Sequence, residues 1–148
     1  MIAVIQRAKS GSVTVDKKII GQIDHGFVIL LGVTDTDEET NADYLADKIS
    51  NLRVFNDENE KMNLSIQDVS GSALVISQFT LCGDTRKGRR PSFIHAAPPE
   101  KGNVLYEYFM AQLKAKGVPV ESGEFGAMMD VALVNDGPVT FVLNSKNP

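Results

Sequence analysis

Two short segments carry the residues best placed for chemistry. Ser77-Gln78-Phe79-Thr80-Leu81 and Asn135-Asp136-Gly137-Pro138-Val139-Thr140 each border a strand-like apolar run and set hydroxyls, carboxamides and backbone groups where a reacting group can sit. Ser77, Gln78 and Thr80 donate and accept hydrogen bonds, and the amides of Phe79 and Thr80 would hold a developing oxyanion if they faced an open pocket. That chemistry is acyl transfer to water. The same residues also read as an ordinary strand with alternating polar and buried positions. Gly137-Pro138 has two readings as well. Proline is the residue before which a cis peptide bond is cheap, and a glycine preceding it omits the Cβ that would crowd an incoming ligand. Such a bond would turn both carbonyls to one side as a rigid barrier able to accept an α-amino group, whereas a plain tight turn would do no chemistry.

Other nucleophile and ligand signatures are missing. Thr80 has a hydroxyl, but a hydroxyl attacks well only when a base removes its proton, and none is evident nearby. The single cysteine, Cys82, has no histidine or asparagine constellation around it in sequence and reads as a small buried hydrophobe. His25 and His95 show no ligand spacing with Cys82 or with each other, so neither a metal nor another cofactor is expected. The net charge of −4 argues against coating nucleic acid over the whole surface. A local contact is possible at Arg86-Lys87-Gly88-Arg89-Arg90, which packs four of the 15 basic residues into five positions and otherwise reads as a solvated loop.

The elements that position these residues follow from periodicity. Ile2 to Gln6 reads as an opening strand, and Ser12 to Val15 with Ile19 to Ile23 as a hairpin around Asp16-Lys17. Gly26 to Val33 reads as a fully buried strand. Thr36 with Glu39 predicts a capping box for a helix whose Ala42, Leu45, Ile49 and Leu52 form a core-facing stripe. Asn56 to Asn63 is a polar loop or hairpin tip, and Ala73 to Thr80 another strand. Pro98-Pro99 starts a second helix with Val104, Leu105, Tyr108, Phe109 and Leu113 inward, stopped by Gly117 and Pro119. Val131 to Val134 and Val139 to Leu143 are two strands joined by a sharp turn at Asn135 to Pro138. Many strands and two helices predict a mixed α/β domain with the helices on one side of the sheet layer.

At 148 residues and 43% hydrophobic content, without linker or repeat, the chain reads as one domain, residues 1–148. One cysteine allows no intrachain disulfide, the N-terminus turns polar too early for a signal peptide, and the longest apolar stretch, Phe27 to Val33, is too short to cross a bilayer. A cytoplasmic protein is expected.

Taken in order, Ser77-Gln78-Phe79-Thr80, Gly88-Arg89-Arg90-Pro91-Ser92-Phe93, Gly123-Glu124-Phe125-Gly126-Ala127-Met128-Met129 and Asn135-Asp136-Gly137-Pro138-Val139-Thr140 resemble the motifs of the D-aminoacyl-tRNA deacylase family. The likeness runs from Gln6-Arg7 to the final strand. It implies a β/β/α sandwich and a metal-free homodimeric hydrolase that cleaves the ester between a D-amino acid and the 3′-terminal adenosine of tRNA, and also some mischarged glycyl-tRNA. By resemblance, Gly137-Pro138 is a cis element inserted into the other subunit's pocket, placing the active site at the subunit interface. Its carbonyls hold the substrate amino group and exclude L side chains. Arg7 braces it. Ser77, Gln78, Phe79 and Thr80 form the opposite side, with Thr80 as a nucleophile or a positioning residue. Phe125, Ala127 and Met129 border the adenosine. Arg86, Lys87, Arg89 and Arg90 are placed for acceptor-stem phosphates. Two other functions fit the residues: a tRNA 3′-end binding module without catalysis, and a small-molecule esterase using Thr80, which leaves the basic loop idle.

Overall fold

The structure, a computed structural model, describes residues 1–147. Its elements in chain order are β1 (Ile2–Val15), β2 (Lys18–Ile23), β3 (Gly26–Gly32), α1 (Glu39–Asn51), β4 (Phe55–Asn56), β5 (Met62–Leu64), β6 (Ser72–Ser77), a 3₁₀ turn (Phe79–Cys82), α2 (Pro99–Ala115), β7 (Val120–Ser122) and β8 (Asp130–Asn144). The main sheet runs β2-β1-β3-β6-β7, with β8 pairing along β1, while β4 and β5 form a separate hairpin.

β1 ties the layers together. Both opening strand segments expected from the sequence belong to it, and the pairing with β8 is irregular between Gln6 and Ala8 and again between Ala8 and Ser10. A slip of one residue sends the following side chains to the other face. Before the slip, Ala3 and Ile5 join Phe27, Ile29, Leu31, Ala73 and Val75 beneath both helices, whose Leu45, Ile49, Leu105, Phe109 and Leu113 complete that core. After it, Ala8 and Val13 join Ile23, Val28, Leu74 and Ile76 in a second core on the opposite face of β3 and β6. The result is two apolar layers, with both helices against one of them, in the β/β/α order expected.

Several local readings are corrected. α1 starts at Glu39, not from a Thr36 cap: its capping box joins Glu38 to Asn41. Asp37 turns inward to accept the Thr34 backbone N–H at 2.7 Å, which keeps residues 34–37 in a turn. α2 is rotated relative to the expected face. Val104 is exposed while Tyr106 and Met110 are buried, because the Tyr106 hydroxyl finds the Val75 carbonyl at 2.8 Å. β6 stops at Ser77 instead of continuing to Thr80. Gln78 donates to Leu31 at 2.8 Å, β3 then ends at Gly32, and the chain winds back over that glycine so closely that a Cβ there would meet Leu81 Cβ at 2.9 Å. β7 was not expected.

Finally, residues 130–144 form one strand and not two joined by a turn. Asp136 to Val139 are a bulge within it.

Candidate active site

β6 and β7 run parallel, with Val75 opposite Ser122, so both chains emerge at the same end of the sheet. The end of parallel strands is where backbone groups are left open to a ligand. Ser77 and Gln78 leave β6 there half-buried, and Phe79 and Thr80 are exposed at the start of the 3₁₀ turn. The first amides of such a turn have no intrahelical acceptor, so the Phe79 and Thr80 N–H groups are free in type for an oxyanion. Gln78 Nε2 donates to Thr80 Oγ1. Among the described residues, no carboxylate or imidazole hydrogen-bonds Thr80.

The segment leaving β7 passes the same end. Phe125 sits 6.0 Å from the Tyr106 ring and packs on Gly102 of α2. Gly126 takes φ +78° to make the turn, Ala127 donates to Glu124 at 3.1 Å, and Met129 packs partly buried on the second core.

The basic loop is closed by paired backbone hydrogen bonds between Asp84 and Ser92 at 2.8 and 2.9 Å. Arg86 donates twice to the Asp84 carboxylate, at 2.9 and 2.7 Å. The guanidinium holds the Asp84 carboxyl well below the usual carboxylate range. Lys87, Arg89 and Arg90 have no ion-pair partner among the described residues. Phe79 and Phe93 meet edge to face at 5.0 Å beside this loop.

The bulge in β8 is the second assembly. Gln6 pairs with Thr140 and Ala8 with Asn135, so Arg7 alone faces Asp136 through Val139. Arg7 is 5% exposed. Its Nε donates to the Asp136 carbonyl at 2.9 Å, and its Nη1 to the Val54 carbonyl at 2.7 Å and to Asn56 Oδ1 at 3.3 Å. The Asp136 carboxylate lies 3.6 Å away. The Gly137-Pro138 bond is cis. Gly137 has φ +137°, and a Cβ on it would lie 3.1 Å from Arg7 Nη2. Behind the guanidinium is a cavity of about 120 Å³ lined by Arg7, His25, Phe55, Asn56, Val69 and Asp136.

One chain does not bring the two assemblies together. Ser77 is level with Leu31, Ala3 and Leu143, while the bulge is level with Arg7. Three strand spacings of about 4.8 Å and four residues of about 3.3 Å put them roughly 20 Å apart.

Residues 4–144 match the family described as D-Tyr-tRNA(Tyr) deacylase. The chain belongs to this family. A D-aminoacyl-tRNA deacylase of Koribacter versatilis is 59% identical over 146 residues, covering 99% of this chain and 98% of that protein. One of Thermus aquaticus is 59% identical over 145 residues, covering 98% and 95%. Among solved structures, the c-Myc DNA unwinding element binding protein superposes with a TM-score of 0.91 at 39% identity, covering 97% of this chain and 98% of its own. A probable eukaryotic D-amino acid tRNA deacylase shares the fold, with a TM-score of 0.81 at 18% identity over 96% and 97% of the two chains.

The family match spans every candidate residue from Arg7 to Pro138. Cys82 is buried, its thiol pKa pushed up by desolvation. His25 packs edge-on to Phe55 at 5.1 Å, and His95 is exposed. Among the described residues, no helix is long and apolar enough to cross a membrane. The sequence reading gave no role to Asp84, Phe93, Asn56 or the Val54 carbonyl. Asp84 two residues before Arg86 was a readable pairing signal; the contacts from β4 to Arg7 are tertiary and left none.

Proposed function

We propose that this protein hydrolyses the ester linking a D-amino acid to the 3′-terminal adenosine of tRNA, and rejects L-aminoacyl-tRNA by backbone exclusion. The observation that carries this reading is the braced bulge at Asp136 to Val139, with a residue lacking a side chain held against a buried arginine, in a chain of this family. Discriminating mirror images by attraction alone is limited to a few kcal/mol, whereas a clash with fixed backbone can be larger. Glycine carries nothing to exclude, so mischarged glycyl-tRNA is also a substrate.

In this reading, the Gly137-Pro138 carbonyls accept the substrate α-amino group. Water adds to the ester carbonyl, the oxyanion is held by the Phe79 and Thr80 amides, and the bond to the ribose 3′ oxygen breaks as that oxygen takes a proton. Ser77, Gln78 and Thr80 position the ester. With no base beside Thr80, the neighbouring ribose 2′-hydroxyl assists the attack. Phe125, Ala127 and Met129 border the adenosine, and Lys87, Arg89, Arg90 and the already paired Arg86 meet acceptor-stem phosphates. A second copy supplies Gly137-Pro138 to the Ser77–Thr80 side, forming a homodimer with the site at its interface. The separation of the two assemblies within one chain, roughly 20 Å by strand spacing, favours this, as does β8, whose exposed Val131, Val134 and Val142 lie on a long strand with one partner.

Release of labelled D-tyrosine from charged tRNA at catalytic protein levels, with the L ester spared, is the expected result. Binding without release would support the tRNA-end module instead. Cleavage of simple esters with no chiral preference would support the small esterase. A substrate ending in 2′-deoxyadenosine with a 3′ ester should react far more slowly; equal rates would remove the 2′-hydroxyl from the mechanism.

A further inference from the structure

A bulge of four residues opposite one leaves backbone groups without ladder partners, and each buried or half-buried N–H or C=O must find another. Pro138 has no N–H. The Asp136 carbonyl is taken by Arg7 Nε at 2.9 Å. What remains at the far end of the bulge is satisfied by one side chain. Asn135 Oδ1 accepts the Val139 N–H at 2.6 Å, and Asn135 Nδ2 donates to Thr140 Oγ1 at 3.0 Å and, weakly, to the Val139 carbonyl at 3.4 Å. The carboxamide therefore bridges the two ends of the bulge, from the last residue paired before it to the first paired after it. The Val139 N–H, which can only donate, fixes which way the amide faces, and the nitrogen is then anchored on the Thr140 hydroxyl. Arg7 holds the bulge from β1, and Asn135 holds it from its edge in β8. Two restraints on different residues define where Gly137 stands.

We propose that Asn135 is a positioning residue for chiral selection: by closing the bulge over Gly137-Pro138, it keeps the backbone barrier rigid enough to exclude L side chains. The assignment rests on the deacylase reading above. Exclusion by clash needs stiffness, because a barrier that yields by an ångström admits what it should reject. Loosening the bulge therefore raises cleavage of the L ester relative to the D ester. A residue needed only for folding would lower both together.

The test compares kcat/KM for D- and L-tyrosyl-tRNA in the wild type, Asn135→Ala and Asn135→Asp, with Val139 amide hydrogen exchange followed by NMR. Asn135→Ala should lower the D-to-L ratio at least tenfold and speed Val139 exchange. Asn135→Asp keeps an acceptor for the Val139 N–H, and the Thr140 hydroxyl can turn to donate to it, so its ratio should stay within about threefold of wild type. If Asn135→Ala does not fold, Thr140→Val removes the hydroxyl that anchors the carboxamide nitrogen and should lower the ratio in the same direction. A ratio unchanged in Asn135→Ala, or in Thr140→Val where that is the variant measured, overturns the inference while leaving the deacylase reading intact. A wild type that does not prefer the D ester overturns both.

Discussion

Gly137→Ala tests whether the bulge is built as described. The new methyl would lie 3.1 Å from Arg7 Nη2 and 2.7 Å from Val139 Cγ2. The valine contact is with a β-branched side chain, which yields only by leaving its preferred rotamer. The guanidinium cannot move freely, because its Nε and Nη1 are committed to the Asp136 and Val54 carbonyls at 2.9 and 2.7 Å. The backbone is the firmer obstacle: φ +137° is a region L residues rarely adopt, costing about 1–3 kcal/mol. Displacing Arg7 from one charge-assisted hydrogen bond adds roughly 1.5–3 kcal/mol. If the chain avoids part of this by reshaping the bulge, a net preference of about 3 kcal/mol for the altered shape leaves the native one near 1% populated, a loss of roughly a hundredfold in D-ester release. Single-turnover release from D-tyrosyl-tRNA at saturating protein measures this directly. Thr80→Ser is the comparison, since it keeps the hydroxyl that Gln78 binds, and should stay within about threefold of wild type. Equal losses in the two variants would refute the claim that fixed backbone, more than a reactive hydroxyl, makes the site.

Arg7→Lys cannot reproduce the planar fork that reaches Asp136, Val54 and Asn56; losing about 2–4 kcal/mol should lower the melting temperature by roughly 5–15 °C and erode D-over-L preference, both readable by calorimetry and the release assay. Neutralising Lys87, Arg89 and Arg90 together should flatten the log–log salt dependence of tRNA binding by about 2 to 3, whereas Arg86→Gln alone changes it less because Asp84 already pairs that charge; equal effects per residue would count against the contact. Burial pushes the Tyr106 phenol up to about 12 from its ordinary value of 10.0. The folded state thus favours the neutral phenol, a contribution fully present below pH 10 and lost as the pH rises towards 12, worth roughly 3 kcal/mol. Denaturant midpoints measured across that range should fall more steeply for the wild type than for Tyr106→Phe.

Much of the scaffold was readable because it follows apolar alternation. The hairpin around Asp16-Lys17, the buried β3 and the two helices all follow their period. What sequence could not reveal depended on a partner elsewhere in the chain. Asn-Asp-Gly-Pro has the composition of a turn, and only the long pairing of β8 with β1 makes it a bulge. The inward roll of Tyr106 depends on a carbonyl of β6, and the end of β6 at Ser77 depends on where β3 stops. The α1 start shifted because Asp37 found a backbone donor at Thr34. For the candidate site, residue types could be named, but not that one chain holds its two halves far apart, nor that Arg7 is held by the Val54 carbonyl and Asn56 from β4.

That separation has a genetic corollary. Where a barrier from one polypeptide serves the pocket of another, a chain damaged at Gly137 and a chain damaged at Ser77 to Thr80 are each inactive alone, yet mixed pairs contain one pocket assembled wholly from healthy parts. Random reassortment at equal amounts makes half the pairs mixed, with one working pocket in two, so about a quarter of normal turnover should return on mixing. Two broken alleles of this gene would then partly rescue one another.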